Sequence, residues 1–101
     1  MYRNKKVSVV FGTYNEENSI REVIDGFFAT GFVDEVIAVD NNALGNTKFE
    51  IEKTKAKRVV ETKQGYGHAY MRALSEATGD LIVMTEVDGT FDPKDIHKFL
   101  L

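Results

Sequence analysis

Polar and acidic side chains follow three apolar segments of this chain, at points where buried strands would end. The last of these segments precedes Glu86 and Asp88, two acids separated by a single residue. Hard cations such as Mg²⁺ take oxygen ligands and often share one or two carboxylates with substrate phosphates. The pair therefore predicts a metal site that could bridge a diphosphate and offset charge on a departing nucleotide diphosphate.

The two other clusters offer groups that suit a nucleoside. The second apolar segment ends at Asp40, whose carboxylate can accept a hydrogen bond from the imino group of a base. The first is followed by an aromatic face for a base and a carboxylate for ring or ribose hydrogens, within the run Thr13, Tyr14, Asn15 and Glu16. Together the three clusters fit the parts of a nucleotide diphosphate sugar.

Each cluster also has an ordinary structural interpretation. Tyr14 could cover the edge of a sheet, and Asp40 could form the turn that ends a strand. The acids at 86 and 88 could be solvated loop residues, since Asp-Gly is common in turns. The functional interpretation rests on the coincidence of three clusters and not on any one of them.

The elements that must position these residues follow from the hydrophobic pattern. Apolar, largely β-branched segments predict strands at 7–11, 36–39, 58–61 and 81–84. Between them, helical periodicity predicts a helix capped by Asn15 and ended by Gly31, a weaker one at 47–55, and another after Gly65. This alternation predicts an α/β fold, a three-layer α/β/α Rossmann-like arrangement on a mainly parallel four-stranded sheet. Ligands of such sheets bind outside the carboxyl ends of the strands.

Two of the predicted helices have further signals. The third ends at Gly79, and its predicted apolar stripe consists of Tyr70, Ala73, Leu74 and Ala77. The fourth begins with Asp92 as N-cap and Pro93 at its first position, and its apolar face stops at Leu101. We therefore expect a truncated domain, and the exposed apolar face leaves open a homo-oligomer.

Composition narrows the class of protein. A chain of 101 residues that is 43% hydrophobic and 29% charged is expected to form one globular domain, residues 1–101. The net charge of -3 argues against a nucleic-acid partner. The absence of cysteine fits a reducing compartment, so we expect a cytoplasmic protein. The apolar segment at 7–11 is too short for a signal peptide or a transmembrane segment.

Four ordered motifs resemble those of family 2 glycosyltransferases. Val-Val-Phe-Gly-Thr-Tyr-Asn-Glu-Glu-Asn at 9–18 is similar to the family's opening strand and loop, and Asp-Glu-Val-Ile-Ala-Val-Asp-Asn-Asn at 34–42 to its second strand. Gln-Gly-Tyr-Gly-His-Ala at 64–69 resembles the family's glycine-flanked turn into a helix. The segment 77–96 resembles its Asp-x-Asp region and the helix that follows.

The resemblance implies a GT-A fold, a UDP- or GDP-sugar donor and a divalent metal, Mg²⁺ or Mn²⁺. Thr13, Tyr14, Glu16 and Asp40 match base and ribose contacts, and Asp88 matches the metal-binding acid. The full donor site that we expect also contains Asn15, Gly65 and Gly67, with Glu86 as a second metal ligand. Polyprenyl-phosphate sugar transferases look nearest, which leaves open a peripheral membrane acceptor.

The sequence departs from the family pattern in several places. Gly12 stands where the family often has proline, Glu86 replaces the first acid of Asp-x-Asp, and Thr90 stands where polyprenyl-type relatives often have glutamine. The family's acceptor half, with its general base, is missing, so no catalytic residue is nominated. Whether the chain is an enzyme by itself stays open.

Two other classes compete with a glycosyltransferase donor-binding domain. The missing acceptor half suits a non-catalytic nucleotide-binding or assembly module. The alternating pattern also suits a flavodoxin-like phosphate-binding or phosphoacceptor domain, which would carry acids directly after the first strand. Gly-Thr-Tyr at 12–14 stands there instead.

Overall fold

Four parallel strands form one sheet in the computed structural model, which describes residues 1–13, 20–43 and 45–85. They are β1 (Val7–Thr13), β2 (Glu35–Asp40), β3 (Lys57–Val60) and β4 (Leu81–Met84). Their order in the sheet is β3-β2-β1-β4, and every pairing is parallel. All four strands therefore end along one side of the sheet, called the carboxyl edge below, while their starts form the amino edge.

Three described helices cover the two faces of this sheet: α1 (Ile20–Ala29), α2 (Thr47–Glu52) and α3 (Tyr66–Glu76). The chain moves outward from β1 through β2 to β3, and then returns past β1 to β4. With right-handed crossovers, a helix lies on one face of the sheet when the chain moves across the sheet in one direction, and on the other face when the chain moves back. Accordingly, α1 and α2 contact each other, whereas α3 packs on β1 and β2 from the other side. The predicted three-layer α/β/α arrangement is confirmed.

The two central strands are buried on both faces, so their apolar residues alternate between two cores. Val9 and Phe11 of β1 pack with helix residues such as Phe27 on the α1 side. Val10 faces the opposite way, where it packs in a second core with Ala69 and Ala73 of α3. Both cores hold β1 and β2 rigidly, and these are the strands that end at the candidate site.

The predicted strands all form, with ends that differ by at most two residues. One feature of the third predicted helix is wrong: Leu74 is not a core residue, because 43% of its surface is exposed. Ala69 and Ala73 lie one turn apart and face the sheet, and Leu74 is rotated away from that stripe by one residue. The N-cap at Asn15 and the helix predicted from Asp92 lie outside the described residues.

A hydrogen-bonded clasp at the amino edge ties β4 and its preceding turn to β1 and β2. The Oε1 atom of Glu35 accepts hydrogen bonds from the Ser8 hydroxyl at 2.8 Å and from the Thr78 backbone N–H at 2.9 Å. The Gly79 N–H donates to the same Ser8 hydroxyl at 2.9 Å. The Lys6 ammonium donates to the Thr78 hydroxyl. We call Ser8, Glu35, Thr78 and Gly79 the amino-edge clasp.

This clasp predicts a pH dependence of stability. Burial by itself raises the pKa of Glu35, but hydrogen bonds from Thr78 and Ser8, with the charge of Lys6, outweigh it and hold the pKa below its ordinary value of 4.5. A carboxyl with a depressed folded pKa contributes stability above its unfolded pKa, and that contribution is lost as the pH falls through the folded value. We expect the free energy of unfolding to decline below pH 4.5, and to decline less steeply in Glu35→Gln.

Urea unfolding at a series of pH values measures this slope. Glu52→Gln is the matched control, because it makes the same substitution at an exposed position at the end of α2. Equal slopes in the wild type and Glu35→Gln would show that the clasp carboxylate does not contribute to acid stability. Asp34 should keep part of the slope in every variant, since the hydrogen bond from the Val7 N–H lowers its pKa as well.

Candidate functional site

The candidate site lies at the carboxyl edge, where β1 and β2 end at the same level. Thr13 and Asp40 are partners in the register of these two strands. On the other side of β1, β4 pairs only up to Met84, opposite Val10. The chain after Thr85 therefore starts below the level of Thr13. Adjacent strands are about 4.8 Å apart, so a site from β2 to β4 spans about 10 Å.

Asp40 is held by donors on both of its carboxylate oxygens. Oδ1 accepts the Ala43 backbone N–H at 2.8 Å. Oδ2 accepts two hydrogen bonds from Arg58, from Nη2 at 2.6 Å and from Nε at 3.1 Å. The pair is largely buried, with 10% of the Asp40 side chain and 23% of the Arg58 side chain exposed. A carboxylate oxygen has two lone pairs, so Oδ1 retains acceptor capacity for a ligand.

Thr13 occupies a position between Asp40 and β4 that is fully buried. Its hydroxyl donates to the Val39 carbonyl at 3.1 Å, and its own carbonyl accepts the Asn41 N–H at 3.1 Å. In the described structure these bonds join the ends of β1 and β2. A base or ribose contact by Thr13 stays a prediction.

Asn41, which the sequence did not single out, organises the neighbouring loop at 61–65. Its buried side-chain amide donates to the carbonyls of Glu61 and Lys63, both at 2.8 Å. Its Oδ1 accepts the Gly65 N–H at 3.0 Å. The side chain thus satisfies three backbone groups of a loop that has no strand partner at these positions. This fixes the start of α3 against the end of β2.

The start of α3 faces the same edge and has the geometry of an anion site. Gly65 has φ +126°, a conformation that side-chain-bearing residues rarely adopt. Among the described residues, no side chain caps this end of α3. The first backbone N–H groups of a helix lack intrahelical acceptors, and the helix dipole adds positive potential there. Gly67 is exposed, and no described atom outside its own helix lies near the place where a Cβ would stand.

The Glu61 carboxylate accepts further hydrogen bonds at the loop formed by residues 61–65. Its Oε2 accepts the Lys63 N–H at 2.9 Å, and its Oε1 accepts Arg72 Nε at 3.3 Å. The Lys63 hydrogen bond, followed by the Arg72 contacts, lowers the pKa of Glu61. The carboxylate is therefore already engaged within the loop, and Lys63 remains exposed beside it.

The remaining predicted site residues, Tyr14, Asn15, Glu16, Glu86 and Asp88, lie outside the described residues. Within 1–13, 20–43 and 45–85 no group of three potential metal-binding side chains occurs. The described part of the chain ends at Thr85, a buried residue whose carbonyl accepts the Tyr70 hydroxyl at 2.8 Å.

Comparison with known families decides the relationship. The profile of the family described as glycosyl transferase family 2 matches residues 8–101. This chain belongs to glycosyltransferase family 2. The match extends from the first strand to beyond the fourth and includes every residue of the candidate site, in agreement with the motifs that suggested the family.

Curated glycosyltransferases and a hexose transferase are similar over nearly the whole chain. An uncharacterized glycosyltransferase of Mycobacterium bovis is 32% identical over 94 residues, covering 93% of this chain and 42% of that protein. A dolichyl-phosphate hexose transferase of Haloferax volcanii is 35% identical over 101 residues, covering 98% of this chain and 43% of the relative. The chain thus spans less than half the length of these relatives.

Solved structures of a mycobacterial synthase share the fold. Glucosyl-3-phosphoglycerate synthase from Mycobacterium tuberculosis, in complex with Mn²⁺, uridine diphosphate and glucosyl-3-phosphoglycerate, superposes with a TM-score of 0.81 at 27% identity. The superposition covers 93% of this chain and 38% of the synthase. The fold is therefore the Rossmann-like GT-A fold. None of the helices described in this chain is long and apolar enough to cross a membrane.

Proposed function

We propose that this chain is the donor-binding region of a family 2 glycosyltransferase and binds a UDP- or GDP-sugar at the carboxyl edge. The observation that carries the proposal is the convergence there of Asp40, the end of β1 and the start of α3. Each supplies a different kind of group: a fixed acceptor for the base, the loop after Thr13, and free N–H donors for phosphate. Crystal structures of the mycobacterial synthase with UDP support the proposal.

The proposal includes a divalent metal between the donor phosphates and the segment after β4. Glu86 and Asp88 would supply carboxylate oxygens, the ligand type that Mg²⁺ and Mn²⁺ prefer. Thr85, whose carbonyl accepts the Tyr70 hydroxyl of α3 at 2.8 Å, directly precedes these acids in the sequence. When bound, the metal would neutralise charge on the departing nucleotide diphosphate. Complexes of the synthase with UDP and either Mn²⁺ or Mg²⁺ support this choice of ions.

Calorimetric titration of UDP, GDP and their glucose and mannose conjugates tests the proposal, first with Mn²⁺ and then with a chelator. We expect binding that strengthens with Mn²⁺. In Asp88→Ala the affinity with Mn²⁺ should fall to the affinity that the wild type shows with the chelator, because the metal loses a carboxylate. Glu52→Ala, which removes an acid far from the carboxyl edge, should behave as the wild type does. Absence of nucleotide binding in both conditions would refute the donor site.

A non-catalytic nucleotide-binding or assembly module is the second candidate. Transfer or hydrolysis of the sugar by the purified chain would exclude this alternative. Cytoplasmic localisation, a membrane-associated acceptor and self-association belong to the proposal as predictions.

A further inference from the structure

We propose that Arg58 is a positioning residue that makes Asp40 select bases with an imino N–H. This inference rests on the proposed function, in which Asp40 meets the base of the donor. Its starting point is the register of β2 and β3, in which Ala38 is the partner of Arg58. Asp40 lies two residues farther along β2, on the same face as Ala38, so Arg58 and Asp40 are diagonal neighbours.

The contacts fix the direction of the Asp40 carboxylate. Nη2 and Nε of Arg58 both bind Oδ2, at 2.6 and 3.1 Å, while the Ala43 N–H binds Oδ1 at 2.8 Å. Three donors on two oxygens leave the side chain little freedom to rotate. The side chain of Arg58 is 23% exposed and that of Asp40 is 10% exposed, so water competes weakly for these bonds.

The chemistry of the pair also sets what Asp40 can offer a ligand. A guanidinium only donates hydrogen bonds, so the carboxylate that faces it serves as an acceptor. The remaining lone pair of Oδ1 can meet an N–H but repels another lone pair. Uracil N3 and guanine N1 carry a hydrogen, whereas cytosine N3 and adenine N1 present lone pairs. The Arg58–Asp40 pair should therefore favour uracil over cytosine and guanine over adenine.

A purely structural ion pair between β2 and β3 makes a different prediction. Its loss would weaken the sheet edge and reduce the affinity for every nucleotide by the same factor. Loss of a positioning residue would instead change the ratio between nucleotides that differ at the imino position. The ratio of dissociation constants for CDP and UDP, or for ADP and GDP, separates these roles.

The experiment measures these ratios by calorimetry with Mn²⁺ for the wild type, Arg58→Met and Arg58→Lys. In the wild type we compare whichever of UDP and GDP binds more tightly with its counterpart that lacks the imino hydrogen, CDP or ADP. We expect its affinity to be higher by about tenfold or more. Arg58→Met keeps side-chain length without donors, and the preference should fall below about threefold. In Arg58→Lys the preference should be intermediate, because an ammonium keeps the positive charge but lacks the planar, forked array of guanidinium donors.

Lys57→Met is the matched control, since it removes a charge from the adjacent position of β3, where Lys57 pairs with Glu76 at 2.9 Å. Its ratio should equal that of the wild type. If the wild type binds none of the four nucleotides, the proposed function itself fails. If the wild type binds without preference, or Arg58→Met weakens all nucleotides equally, the role of Arg58 is refuted while the donor site stands. Should Arg58→Met not fold, an unchanged ratio in Arg58→Lys overturns the inference.

Discussion

Replacing Gly79 with alanine should lower the free energy of unfolding by about 3 kcal/mol, the range of severe overpacking. A Cβ at this position would stand 2.9 Å from both the Lys6 carbonyl oxygen and the Ser8 backbone nitrogen, and closer still to the Ser8 hydroxyl. Two of these three atoms belong to the backbone at the start of β1, a central strand that cannot retreat. The turn before β4 would have to move outward instead.

An outward movement of this turn would break several hydrogen bonds at once. The Gly79 N–H would leave the Ser8 hydroxyl, and the Asp80 N–H would leave the Lys6 carbonyl, which it now meets at 2.8 Å. The Lys6 N–H would also lose the Asp80 carboxylate at 2.9 Å. Because β4 pairs with the described sheet through β1, loosening this turn weakens the attachment of the strand that precedes Asp88.

Urea unfolding followed by circular dichroism measures the effect, with Gly67→Ala as the control. Gly67 lies within α3, and apart from its own helix backbone no atom of the described residues stands within 4 Å of the place that a Cβ would occupy there. Alanine at this position should therefore leave stability equal or raise it by up to about 1 kcal/mol. The two variants add the same methyl group, at a crowded turn in one case and at an open position of a helix in the other. Equal stability of Gly79→Ala and the wild type would contradict the close approach of the turn to β1.

Asn41→Ala should cost about 2 to 3 kcal/mol, because three partly buried backbone groups lose the side-chain partner that they now have. The carbonyls of Glu61 and Lys63 lose a donor, and the Gly65 N–H loses its acceptor. The loop at 61–65 should then detach from the end of β2. Since this loop fixes the start of α3, nucleotide affinity should decline along with stability if the proposed phosphate site is correct.

Hydrogen exchange of the Gly65 amide, measured by NMR, reports this loop directly and should accelerate in Asn41→Ala. Asn42→Gly is the matched control, because Asn42 bonds the same loop from an exposed position, at Thr62 and Gln64. Its φ of +62° suits glycine, so we expect a loss below about 1 kcal/mol. If Asn41→Ala exchanges no faster than the control, the amide is not what holds the loop.

The sequence alone was enough to predict the alternation of strands and helices, and with it the three-layer fold. These features depend on hydrophobic periodicity within segments of four to twelve residues, a local property that a short window reveals. The handedness of crossovers then restricts the topology, so the carboxyl ends of the strands could be placed at one edge from the sequence. The family membership was equally accessible, because its motifs stand at these strand ends.

Contacts between distant segments depended on the tertiary structure. Arg58 looked like an ordinary residue of the third strand, and only the register of β2 and β3 places its guanidinium on Asp40, 18 residues earlier. Gly79 looked like a helix stop, yet its closest neighbours are Lys6 and Ser8. Leu74 fitted a helical stripe but is rotated off the face that α3 buries. Register and rotation are set by packing between elements, which local periodicity does not encode.

For the candidate site, too, some features could be predicted from the sequence and others depended on the tertiary structure. The residue types at the strand ends suggested which side chains could contact a nucleotide. The roles of five of them stay predictions: Tyr14, Asn15, Glu16, Glu86 and Asp88. The structure decided how Asp40 is held, and it added Asn41, whose amide reaches across to residues 20 to 24 positions later. A side chain that satisfies backbone groups of another loop leaves no periodic trace in the sequence, because its partners are chosen by the fold that brings the two segments together.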